Sequence, residues 1–187
     1  MGCADENHKK ILKNFSPDLH GQTVGNVIYY DNEFNKFVII PDCLKTESKV
    51  VVFAQAGLTG MTTEGLGQLA VQCLRQGIGM TGGKIVSHKG DVLYGRMEKG
   101  PDGKLHHADA GLPRGFTGYF HKSILSQNTE AVSEKLFAVR RELLEQWCPK
   151  EGQTSEELML QLCEFVKASG YRIAYVPAAT AAEKKEG

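Results

Sequence analysis

The chain has 187 residues, 41% of them hydrophobic, and 22 basic against 22 acidic side chains, for a formal net charge of zero. That is enough apolar material for one buried core, and the charge balance speaks against a general nucleic-acid binder, which carries a basic excess. No window approaches the roughly 18 consecutive apolar residues that a membrane-spanning helix needs.

Residues 1–20 are polar and read as a loosely ordered segment with a short helix near 8–15. Residues 24–30 and 36–41 are rich in strand formers and flank Asp31-Asn32-Glu33-Phe34-Asn35, which predicts a hairpin. The run KVVVFAQ at 49–55 is continuously apolar, as a strand covered on both faces would be. A glycine-rich loop follows, then a helix from Thr62 or Thr63 to Gln76. Leu66, Leu69, Ala70, Cys73 and Leu74 lie on one face of that helix, and threonine before it and Gly77 after it fit its caps.

Residues 84–87 and 92–97 predict a second hairpin turning at Lys89-Gly90. Pro101-Asp102-Gly103 predicts a turn into a short strand at 104–107, and 116–121 reads as one more strand. In the last third, 129–147 reads as a helix with Val132, Leu136, Val139, Leu143 and Trp147 on one face, stopped by Pro149. Thr154 and Glu157 form a capping-box pattern ahead of a helix over 155–169, ended by Gly170. A final strand is expected at 171–176. Residues 178–187 offer alanine and charge but no bulky apolar side chain, and read as a disordered tail.

The expected fold class is therefore α+β: a mostly antiparallel sheet of six or seven strands, one helix between strand groups and two C-terminal helices, forming a single domain over 21–177. The element order resembles that of profilin-like and longin-like domains, a likeness of order and not of sequence. The alternative is an α/β three-layer arrangement.

The five cysteines, Cys3, Cys43, Cys73, Cys148 and Cys163, are odd in number and widely spaced, and the first fifteen residues are polar, unlike a secretory leader. Reduced thiols and a cytoplasmic setting are expected, with Cys73 and Cys163 as small core residues. Cys43, in a turn, is a better candidate for a reactive thiol than Cys148, since a helix C-terminus disfavours a thiolate.

Of 21 glycines, 15 fall between Gly57 and Gly118. Gly65-Leu66-Gly67-Gln68-Leu69-Ala70 and Gly77-Ile78-Gly79-Met80-Thr81-Gly82 both match GxGxxG/A. In a dinucleotide-binding unit that motif ends a strand and opens a helix. Here the first match lies inside the predicted helix and the second runs from helix to strand, so turns and caps account for them better. Gly83-Lys84 is no phosphate loop either, because Ile78 stands where GxxxxGK requires glycine. An anion held by the 57–63 loop needs no named motif, only backbone N–H groups and a helix start.

His106, His107 and Asp109 are close in sequence, but neighbours on a strand point to opposite faces, so the pair does not read as a metal site. GxSxG, SxxK, HExxH and CxxC do not occur, and neither a catalytic constellation nor a cofactor is read from the chain. Met1-Gly2-Cys3 resembles the start of dually acylated proteins, which implies myristate on Gly2 and palmitate on Cys3, although Glu6 stands where that pattern has Ser or Thr.

Two functions remain open. One is a non-enzymatic module that binds a protein partner or assembles, held on the cytoplasmic face of a membrane through Gly2 and Cys3. The other is a protein or enzyme that binds a small molecule or phosphate through Gly57, Gly60, Thr62 and Thr63, with Arg114 as a further candidate ligand and His88, His106, His107 or His121 nearby.

Overall fold

The computed structural model describes residues 9–15, 25–30, 48–148 and 153–184; for 9–15, 25–30 and Tyr119 the description is of the backbone only. In chain order the elements are β1 (Lys9–Phe15), β2 (Gly25–Tyr30), β3 (Val50–Gln55), β4 (Leu58–Thr59), α1 (Thr63–Cys73), β5 (Ile78–Val86), β6 (Val92–Tyr94), β7 (Met97–Lys99) and β8 (Leu105–His107). There follow β9 (Gln127–Thr129), β10 (Leu136–Arg140), α2 (Arg141–Gln146), α3 (Ser155–Ala168) and β11 (Arg172–Glu183).

The main sheet runs β1-β2-β3-β10-β5-β11-β4, with β6 added on β5 and β9 on β11; β7 and β8 form a separate hairpin. The β2/β3 and β5/β11 pairs are parallel, and the others are antiparallel. The fold is thus α+β with a mixed, mostly antiparallel sheet, as expected. Its helices lie on both faces. Leu66, Leu69, Ala70 and Cys73 of α1 pack with Val50, Val52, Ala54, Leu136 and Ala138. On the other face Leu143 and Leu144 of α2 and Leu158, Leu162 and Val166 of α3 pack with Val51, Phe53, Phe137 and Val139. The layering therefore follows the three-layer alternative.

Strand β3 is apolar from Val50 to Ala54 because alternate residues feed different cores, and these five residues are all completely buried. Helix α1 starts where expected: the Thr62 hydroxyl accepts from the Gly65 N–H at 3.0 Å. At its other end Arg140 donates to the carbonyls of Leu74 and Arg75, each at 3.1 Å, and of Ile78 at 2.6 Å. That side chain satisfies helix-end acceptors that would otherwise need water. Helix α3 carries the complete Thr154–Glu157 capping box. The β5–β6 and β7–β8 hairpins also form where their turn residues place them.

Four expectations are corrected. Residues 129–147 are not one helix: β9 ends at Thr129, β10 takes Leu136–Arg140, and only Arg141–Gln146 is helical. Leu136 and Val139, placed on one helical face by their spacing, face opposite cores. The tail is not disordered up to Glu183: β11 runs through it, and Ala179 and Ala181 are buried beneath α1. Residues 9–15 form a strand against β2 instead of a helix, and both edges of β2 are taken, by β1 and β3. Residues 119–121 form a 3-10 turn with Phe120 and His121 at positive φ, where a strand was expected. The expected strand at 36–41, with Cys43, Gly2 and Cys3, lies outside the described residues.

Candidate functional site: a cleft at the strand ends

Strands β3, β5 and β11 run in one direction, and β10 runs against them between β3 and β5. Their carboxyl ends and the start of β10 therefore meet at one end of the sheet. Strand β10 leaves β5 beyond the Phe137–Gly82 pair, and β6 replaces it at Ile85 and Val86. On the other side β4 closes the edge by pairing Leu58 with Glu183. The change of neighbours opens a cleft of about 690 Å³. A cleft of this volume suits a small molecule.

Each element contributes to the lining. Gln55, Ala56, Gly57 and Leu58 come from the β3–β4 turn, Ser87 and His88 from the end of β5, and Tyr94 from β6. Lys135 precedes β10, and Glu183 and Lys184 end β11. Gly57 has φ +89°, a conformation suited to glycine, and a Cβ there would meet nothing within 4 Å. Glycine therefore serves the turn and leaves the approach to the cleft open.

Lys135 is the best-placed charge. Its Nζ lies 2.8 Å from Glu183 Oε1 and 4.7 Å from the centre of the Tyr94 ring, and its side chain is only 16% exposed. Burial pulls the ammonium pKa down, but Glu183, with Tyr94 and Glu134, more than offsets this and holds it above the usual lysine value. Lys135 is thus held cationic. Tyr94 is fixed in turn by His107, whose ring meets it edge-on with centroids 5.0 Å apart.

Of the candidate ligand residues Gly57, Gly60, Thr62, Thr63 and Arg114, only Gly57 lines this cleft. Gly60 is an exposed turn glycine at φ +71°. Thr62 is the cap of α1 and Thr63 its first residue. Arg114 sits on an exposed loop whose backbone is pinned by its N–H to Gly90 O, 2.8 Å away. His88 joins Gly57 in the cleft, while His106 faces solvent against Asp102, 3.0 Å away, and His107 packs inward. Among the described residues no group of three or more His, Cys, Asp or Glu side chains is placed to hold a metal ion. Lys135, Glu183 and Tyr94 escaped sequence reasoning because the first two lay in a supposed helix and a supposed tail.

Asp109 has a different role. It is buried, with its carboxylate 3.2 and 3.3 Å from the Arg96 guanidinium, and it accepts from Ser123 Oγ at 2.8 Å. Lys84 Nζ donates to Ser123 O at 2.9 Å. This network fastens the 110–126 loop to β5 and to Arg96, just beyond β6. The Cys73 and Cys163 thiols are buried and pushed up to about 12 by burial, which makes them inert core residues.

No helix among the described residues is long and apolar enough to cross a membrane. No protein-family model matches the chain, and no curated protein matches its sequence.

Proposed function

We propose that this protein binds a small anionic molecule, phosphorylated or carboxylated, in the cleft at the carboxyl ends of β3, β5 and β11. The observation that carries the reading is Lys135, a sheltered cation at a cleft of about 690 Å³ that also gathers Gln55, Ser87, His88 and Lys184. The lining has two lysines against one carboxylate, so it favours an anion. A bare phosphate would leave most of this volume empty, and Tyr94 and Leu58 offer apolar surface for the rest of a larger ligand. Of the two functions left open by the sequence, this is the one the geometry favours.

The test is a thermal-shift screen with sugar phosphates, nucleoside phosphates and dicarboxylates, followed by titration calorimetry on Lys135→Met. A ligand at 100 times its Kd stabilises the fold by about 2.7 kcal/mol, and Lys135→Met is expected to weaken its binding about tenfold or more. A screen in which no anion raises the melting temperature, or a ligand indifferent to Lys135→Met, would overturn the proposal.

A further inference from the structure

The large apolar side chains that the described residues leave exposed are gathered in one loop. Phe116 is 48% exposed, Phe120 74%, Ile124 45% and Leu125 55%. Scattered exposed apolar residues need no explanation, but four within ten positions of sequence do.

The loop is built, not slack. Phe120 and His121 are at φ 52° and 58°, a region that side chains other than glycine and asparagine rarely adopt. Such a conformation persists only where the surroundings enforce it, and here they do. Ser123 N–H donates to Thr117 O at 3.0 Å and His121 N–H to Gly118 O at 3.2 Å. Ser123 itself is buried and tied to Asp109 and Lys84. Gly118 is at φ +72°, and a Cβ there would lie 2.4 Å from Ser123 Oγ. A buried polar network thus holds the turn that carries Phe120 outward.

The charges point to what the loop meets. Residues 110–128 carry Arg114, His121 and Lys122, all exposed, and no Asp or Glu. The adjoining turn, held by the Arg114 N–H to Gly90 O bond, adds the exposed Lys89, against Asp91. Aromatic and aliphatic tips ringed by cations match an anionic bilayer, where apolar groups enter the acyl boundary and cations meet headgroups.

We infer that this loop inserts Phe116, Phe120, Ile124 and Leu125 into an anionic lipid surface, with Arg114 and Lys122 on the headgroups. It is independent of the cleft and of any acyl group on Gly2 or Cys3. The experiment is co-sedimentation of the full chain, shown by mass to carry no acyl group, with phosphatidylcholine vesicles with and without about 30% phosphatidylserine. Binding is expected only to the anionic vesicles, and weaker in high salt. Arg114→Gln and Lys122→Gln should each lower affinity about fivefold. A Phe120→Asn, Leu125→Ser variant should abolish binding at unchanged melting temperature, because asparagine tolerates positive φ. Independently, Phe120→Trp should shift its emission to the blue on those vesicles. No binding, binding that survives Phe120→Asn, Leu125→Ser, or an unshifted tryptophan would overturn the inference. So would a concentration-dependent dimer, without vesicles, that the double variant dissolves, since it would give the patch to a second copy of the chain.

Discussion

Lys135 and Glu183 lie 48 residues apart and meet at 2.8 Å, the first from the residue before β10, the second from the last residue of β11. Their pairing joins two strands that β5 separates, and it stands at the cleft. Glu183 therefore competes with any anion for the Lys135 ammonium. Glu183→Gln keeps the shape and removes the competitor. Anion affinity in calorimetry is expected to rise by severalfold, while stability falls by no more than about 1 kcal/mol, because the pair is partly exposed. A fall in affinity would mean that Glu183 binds the ligand itself.

Asp109 is the anchor of the loop network. Replacing it by asparagine keeps the volume and deprives the buried Arg96 guanidinium of its closest buried counter-charge, leaving it Glu98. Removing one partner of a buried ion pair costs about 3–5 kcal/mol. Urea unfolding of Asp109→Asn should show a loss in that range, and protease cleavage within 110–126 should accelerate. A loss below about 1 kcal/mol would show that the network does not hold the loop.

Thr62 was a candidate ligand residue and is found as a helix cap. The two roles separate experimentally. Thr62→Ala should lower stability by about 1 kcal/mol and leave ligand affinity unchanged, whereas Thr62→Ser should preserve both. Lost affinity in a Thr62→Ala protein of normal stability would return Thr62 to the site.

What could be read in the sequence was whatever local chemistry decides. The capping box at Thr154 and Glu157, the cap at Thr62 and the turn at Pro101-Asp102-Gly103 form where their residues require, because their partners are three or four positions away. The β9–β10–α2 stretch misled because its apolar residues fit two periods. Val132, Leu136, Val139 and Leu143 recur at helical spacing, but Leu136, Phe137, Ala138 and Val139 are also a continuous run that suits a strand covered on both faces. Pairing with β3 and β5 decided it, with Phe137 stacked on Phe53 at 4.7 Å.

The glycines of the two nominal motif matches, expected in turns and caps, and the alanines of the expected tail were visible but misassigned. Within the two nominal GxGxxG matches, small residues mark close approach more than turns. A Cβ on Gly65 would lie 3.1 Å from Ala178 O, so α1 sits low on β11 and buries alanines that carry no hydrophobic signal of their own. A Cβ on Gly82 would lie 2.3 Å from Val132, and one on Gly83 2.6 Å from Leu136 and from Ala179 O. Gly65 and Gly82, each from a nominal GxGxxG match, thus serve packing against neighbouring elements, and only Gly77, at φ +75°, serves a turn. The cleft was half legible. Gly57 and His88 were in view, but Lys135 and Glu183 depended on strands that only tertiary pairing creates.

His107 supplies a pH test of how the Tyr94 wall is held. Burial disfavours its imidazolium and lowers its pKa from the ordinary 6.5, and the opposing pulls of the Gly95 backbone and of Glu134 and Glu156 do not cancel this. In the unfolded chain the residue takes up its proton as pH falls through about 6.5, while the folded protein resists until lower pH. Over that window the unfolded state binds more protons, so stability falls as pH falls. The contribution is complete above 6.5 and lost below it as the folded value is approached. His107→Asn removes this titration. Urea midpoints measured from pH 8 to pH 5 should therefore drop more for the parent chain than for His107→Asn, with the difference developing below the ordinary histidine value. Parallel pH profiles for the two proteins would mean that His107 is protonated as easily folded as unfolded, and that the half-buried edge-on contact with Tyr94 does not restrain it.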